Sequence, residues 1–263
     1  MTLEETVGEM VKGVSVGLVF SKGRDITEAF FPEGIETVTV SEEGGDVNLP
    51  LTFDKYEDRI RYGVEGALEG GFVEEGDIVL CVDAIFGTEA DTVSRFKVTE
   101  SIRTGLYSLF MDSRADPGVI RDVVELAIEL GQKGQKGKPI GALFVIGDAG
   151  NVMDKSRELS YNPFEKSHVH VGDPIVDVML KEFSRLDGAF VISDRGKIVS
   201  AYRYLEAEGE GIDIPRGLGT RHMAAAAITR DTNAVSVVLS ESDRMVRVFK
   251  GGELVLELDP EEY

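Results

Sequence analysis

Apolar residues along this chain come in short runs, separated by polar or glycine-rich punctuation and by stretches with helical periodicity. Residues 14–20, 36–40, 77–82 and 92–98 predict strands, and residues 59–68 predict a helix ended by Gly70-Gly71. The run at 77–82 is almost continuously apolar, as in a strand covered on both faces. Thr99 to Ile102 opens a helix reaching Met111, and Asp116-Pro117 supplies an N-cap and a first-turn proline for a further helix to Leu130. Strands alternating with helices point to a layered, parallel sheet in this first half.

The second half alternates apolar strands with tight turns. Residues 140–146, 190–193, 198–205 and 234–240 predict strands, followed by short ones at 244–249 and 253–258. Asp194-Arg195-Gly196-Lys197 and Lys250-Gly251-Gly252-Glu253 read as hairpin turns. The result is a mixed sheet flanked by helices. The glycine-lysine stretch at 131–138 breaks the preceding helix and leads into a strand. It reads as a loop inside the second domain, whose start is placed at residue 116. The expected fold class is therefore α/β, with a layered α/β domain at 1–115 and a mixed-sheet domain at 116–263.

Composition narrows the picture. A chain of 263 residues with 42% hydrophobic content can bury two cores without staples. A single cysteine, Cys81, in an apolar run rules out an internal disulfide framework, fits a reducing cytosol and reads as packing. The first residues are acidic, and no stretch is apolar enough to span a membrane, so a cytoplasmic protein with no membrane partner is expected. The net charge of −20 disfavours nucleic acid as a partner. It also requires any site for an anionic substrate to bring its own cations.

Two segments carry the chemistry. Asp187-Gly188-Ala189 places a carboxylate where a strand begins and small residues let a ligand approach, which suits a metal or a hydroxyl proton. Gly219-Thr220-Arg221-His222 offers backbone N–H groups, a hydroxyl, a guanidinium fork and an imidazole just before a helix, a common way to hold phosphates. Alone, Asp187 reads sooner as a helix-ending or turn carboxylate, and Arg221-His222 sooner as a helix cap or a partner of surface acids. Together they point to a nucleoside triphosphate site. Three other signals are weaker. Gly131 to Lys138 lacks the spacing and the Ser or Thr of a phosphate loop; residues 148–154 put Gly150 and Val152 at calcium-ligand positions; His168 and His170 have no evident third ligand.

The blocks PIGALFVIGD, DGAFVISDRGKIVSAYRYL and LGTRHMAAAAITRDTNAVSVVLSE, closed by LVLEL, occur in one order from about Gly134 to Asp259. This stretch resembles the diadenylate cyclase domain, and the two-part layout resembles the archaeal class of that family. Two positions depart from the family pattern. Its Arg-His-Arg reads Arg221-His222-Met223 here, removing one basic phosphate contact, and its Ser-Glu-Glu reads Ser240-Glu241-Ser242. The resemblance implies an enzyme that condenses two ATP molecules into cyclic di-3′,5′-AMP with Mg²⁺ or Mn²⁺ and releases two pyrophosphates.

It implies further that Asp187 lies by the metal and the ribose 3′ hydroxyl, with Gly188 and Ala189 leaving room for the nucleotide. Arg221 and His222 hold phosphate. Gly219, Thr220, Ser240 and Glu241 lie near the triphosphate, and Tyr204 and Leu205 line the adenine pocket. Because each chain carries one site, two domains must face each other, so a homodimer or higher oligomer is expected. The alternative left open is a cyclase-like domain that has lost turnover and senses ATP or cyclic di-AMP.

Overall fold

A computed structural model of the chain describes residues 2–20, 31–53, 55–86, 90–100, 105–134, 137–183 and 187–261. They form two compact units, residues 1–111 and 112–263, each built on its own mixed sheet.

The first unit contains α1 (Leu3–Met10), β1 (Val16–Phe20), β2 (Glu36–Ser41), β3 (Val47–Asn48), α2 (Tyr56–Glu69), β4 (Ile78–Asp83), β5 (Thr92–Lys97) and α3 (Leu106–Met111). Its sheet runs β3-β2-β1-β4-β5. The first four strands pair in parallel, but β5 lies antiparallel to β4. The wholly parallel sheet expected from the alternation is thus corrected at one edge. The link from Asp83 to Thr92 is too short for the crossover that a parallel neighbour needs. The helix expected to open at Thr99 lies partly outside the described residues, within which α3 is found. Cys81 is buried in β4, and burial pushes its thiol pKa upward, as befits packing rather than nucleophilic chemistry.

The second unit contains α4 (Pro117–Lys133), β6 (Ala142–Ile146), α5 (Ala149–Asp154), β7 (Ser156–Glu158), α6 (Pro174–Phe183), β8 (Ala189–Ile192), β9 (Ile198–Leu205), α7 (Thr220–Asp231), β10 (Val235–Leu239), β11 (Val246–Lys250) and β12 (Glu253–Leu258). The Asp116 carboxylate accepts the Gly118 N–H at 2.8 Å and starts α4. The helix runs past Gly131, where the sequence predicts its end, because Gly131 packs against Pro260 on the buried side; α4 stops at Gly134.

The seven-stranded sheet is ordered β12-β11-β10-β6-β8-β9-β7, with only β6 and β8 parallel. Both predicted hairpins are present, joining β8 to β9 and β11 to β12. β6 is buried along its whole length. Leu143 and Val145 meet α5 and α7 in one cluster with Val191, Ala225, Ile228 and Phe249. Phe144 stacks on Phe190 on the opposite face, by the alternation of a strand, and α4 packs against the same sheet. The parallel and antiparallel directions bring the starts of β6 and β8 to the same sheet end as the finishes of β9 and β10. The start of α7 follows from β9 at this end. No described helix is long and apolar enough to cross a membrane.

Candidate active site

Two cavities open at that end of the second unit, and Thr220 and Arg221 line both. The first, about 270 Å³, is mainly apolar, with Leu143, Leu205, Ala207 and Met223 among its walls. Asp187, Gly188, Ala189 and Tyr204 complete its rim and floor. The second, about 490 Å³, is of mixed character and more polar than the first, with Val238 and Leu239 joining Gly219, His222, Ser240, Glu241 and Ser242 in its walls. Every candidate residue named from the motifs borders one cavity or the other.

Local backbone chemistry presents the Asp187 carboxylate. Gly188 has φ +108°, a conformation that side chains disfavour, and its N–H donates to Asp187 Oδ1 at 3.0 Å. A Cβ at Gly188 would lie 2.8 Å from the Tyr202 Cα. Tyr202 itself has φ +57°, and the β8–β9 register shifts between Ala189 and Val191, so β9 bulges beside the Asp187 turn. Beyond the bulge, Arg203 turns inward and donates to the Ser156 hydroxyl and the Met153 carbonyl, tying β7 and the end of α5 to β9. Tyr204 stays half exposed with the Arg157 guanidinium 4.5 Å from its ring centre. Leu205 is both core and cavity wall.

Arg221 stands between two carboxylates. Its Nη2 lies 3.5 Å from Asp187 Oδ1 and its Nη1 3.8 Å from Glu241 Oε2. Both carboxylates are mostly exposed, whereas Arg221 is half-buried, so these long contacts contribute little stability. They leave the guanidinium available to an anion. Among the described residues no side chain caps α7, and its first turn carries no acid, so the helix start keeps its positive end toward the second cavity.

His222 is buried beside that cavity, edge-on to Phe249, and neither ring nitrogen has a hydrogen-bond partner among the described residues. Burial, with the Arg247 charge nearby, lowers its pKa and keeps the imidazole neutral. The Ser240–Ser242 wall is held from behind. Asp243 takes both Nη groups of the buried Arg247, at 3.3 and 2.8 Å, and Arg247 also pairs with Glu257. The Arg247 hydrogen bond holds the Asp243 carboxyl well below the usual range.

The structure places Met223 away from the second cavity. It lines the apolar one, against Gly209, so this position is a wall of the first cavity and not merely a lost cationic contact. Residues that the motifs did not single out also contribute: Leu143, Leu159 and Ala207 to the apolar wall, Arg203 and Arg247 as supports. Among the described residues no three His, Cys, Asp or Glu side chains gather as a metal cage. His168 and His170 lie exposed outside the named strands, with His170 bridged to Lys197.

Comparison with known proteins agrees with this organisation. The family model described as "Diadenylate cyclase, N-terminal" matches residues 1–118, and that described as "DisA bacterial checkpoint controller nucleotide-binding" matches residues 129–254. A solved structure described as a hypothetical membrane spanning protein from Bacillus cereus aligns with TM-score 0.47 and 18% identity over 60% of this chain and 73% of that one. A diadenylate cyclase of Methanocaldococcus jannaschii is 37% identical over 87% of this chain and 76% of its own. A diadenylate cyclase of Haloferax volcanii is 60% identical over 99% of both chains. Identity of that degree over the full length, across both units, means that the chain belongs to the diadenylate cyclase family.

Proposed function

We propose that the second unit binds one ATP across the two cavities and, paired with a second copy, joins two ATP molecules into cyclic di-3′,5′-AMP. The observation that carries this reading is Arg221, shared by a mainly apolar cavity on one side and a more polar, cation-edged cavity on the other. A nucleotide laid across it puts adenine among Leu143, Leu205, Met223 and Tyr204, and the triphosphate against the start of α7 and Ser240. Asp187 then lies at the ribose.

In each half-reaction the 3′ oxygen of one ribose attacks the α-phosphorus of the other ATP. The new O3′–P bond forms as the bond to the β-phosphate oxygen breaks, and pyrophosphate leaves. Asp187, exposed and unencumbered by a tight ion pair, accepts the hydroxyl proton or helps to withdraw it. Arg221 stabilises charge gathering on the departing pyrophosphate. A phosphate oxygen also gives a His222 nitrogen the partner it lacks, relieving a penalty of about 1–3 kcal/mol.

Asp187 alone suits a Mg²⁺ or Mn²⁺ ion whose other ligands are phosphate oxygens and water, the usual habit of Mg²⁺. Bound there, the ion would lower the hydroxyl pKa and neutralise phosphate charge. One site per chain makes a face-to-face homodimer part of the reaction, and the strongly acidic chain makes local cations necessary. We place the protein in the cytoplasm, with residues 1–115 as an accessory domain and 116–263 as the cyclase.

Purified protein incubated with ATP and either metal, alongside Asp187→Asn and Arg221→Ala, tests the reading by chromatography with mass detection. Cyclic di-AMP from the wild type, with only a small residual rate from the variants, is expected. Retained ATP binding with no product under any metal would reject the cyclase and leave a nucleotide-binding module.

A further inference from the structure

Gly141 is buried directly before β6, and its φ is not positive, so the backbone makes no demand for glycine there. The demand is spatial. A Cβ at this position would lie 2.6 Å from Arg221 Nη1 and 3.3 Å from both Arg221 Cζ and the Glu241 Cβ. The guanidinium therefore rests against bare backbone at the start of a central strand. Its two carboxylate contacts, at 3.5 and 3.8 Å, exceed hydrogen-bond length and do not fix it. What locates the group is the surface it lies on.

We propose that Gly141 is a positioning residue for Arg221: its missing side chain is the seat from which the guanidinium faces both cavities. The inference rests on the proposed role of Arg221 in holding phosphate. β6 supplies a rigid support because it is buried throughout and paired on both sides, with β10 and β8. Arg221 arrives from α7, eighty positions later in the chain. A methyl group at 141 pushes the guanidinium off this seat, while the backbone accepts alanine and the displaced group is the free end of a flexible side chain. Function should suffer and folding should not.

The test is a double-mutant cycle on the full-length protein. Gly141→Ala is expected to lower kcat/KM by about tenfold to a hundredfold, mostly through kcat, since an oriented donor to developing charge is displaced. Its midpoint of urea unfolding should match the wild type. In the Arg221→Ala and Arg221→Lys backgrounds, where no planar fork needs the seat, the same alanine should cost less than twofold. Wild-type kinetics for Gly141→Ala would overturn the proposal. So would an equal loss in all three backgrounds, or a fall in unfolding midpoint that tracks the loss of activity.

If the wild type makes no cyclic di-AMP, it is the reading of the site as a cyclase that has failed. ATP binding by calorimetry then judges the seat alone. Weakening by Gly141→Ala only when Arg221 is present supports it, and equal weakening without Arg221 refutes it.

Discussion

Gly188 lies so close to the backbone of Tyr202 that a side chain on it would come within 2.8 Å of the Tyr202 Cα. Two unusual backbones, Gly188 at φ +108° and Tyr202 at φ +57°, pack against each other and turn the Asp187 carboxylate toward the first cavity. Gly188→Ala meets both the contact and the disfavoured φ. It is expected to cost about 3 kcal/mol or more, from strain and overpacking together. Urea unfolding followed by circular dichroism measures it, and a loss below about 1 kcal/mol would mean that the bulge yields freely.

Asp243 anchors the Ser240–Ser242 wall through Arg247. Its pKa is lowered in the folded protein, so its stabilisation is complete above the ordinary carboxylate value of 3.8 and is lost as pH falls from there toward the depressed value. Asp243→Asn should cost about 1–2 kcal/mol at pH 7, with the half-exposed carboxylate limiting the effect. The gap between wild type and variant should close progressively in acid below pH 3.8. A gap that stays constant from pH 7 to strongly acidic solution would show that the pair is not the anchor.

The strands and hairpins of the second unit were legible because their apolar runs are short, periodic and bounded by Asp-Arg-Gly and Gly-Gly turns. α5, β7 and α6 were not. α5 has six residues and β7 three, too few for periodicity to register, and their order is imposed from outside by Arg203 and by the β7–β9 pairing. In the first unit α1 escaped despite a capping box formed by Thr2 and Glu5, since a single eight-residue helix at the chain start gives little to count. The site shows the same division. Asp187, Arg221 and His222 could be named from contiguous motifs. Gly141 could not be assigned a purpose, because the atom that requires it belongs to a residue far along the chain.

Met223 offers a sharper check on the two-cavity arrangement. If the third position of the Arg-His-Met motif faces phosphate, shortening it should leave base recognition intact. The structure instead puts its side chain in the apolar cavity beside Gly209, so Met223→Ala removes a few methylene-sized contacts from the wall proposed for adenine. About tenfold weaker ATP binding is expected, with a much smaller effect on kcat. GTP offered as a competing ligand should gain relative to ATP. A change confined to inorganic triphosphate binding would reverse this placement.

His222 titrates in the same sense as Asp243, but from a higher starting pH. Burial lowers its pKa from 6.5, so between 6.5 and its lower folded value the unfolded chain binds more protons than the folded one. Stability should therefore fall as pH drops through this window, and His222→Phe should remove that component. At pH 7 the variant should be within about 1 kcal/mol of wild type, because phenylalanine replaces a ring whose nitrogens have no partner among the described residues. Its activity should nonetheless fall by about tenfold or more, since the neutral N–H proposed to meet phosphate is gone. Thermal unfolding between pH 5 and pH 8, with product formation at pH 7.5, separates the two effects. A variant that keeps both the pH-dependent loss of stability and the wild-type rate would show that His222 neither titrates in the core nor serves the second cavity.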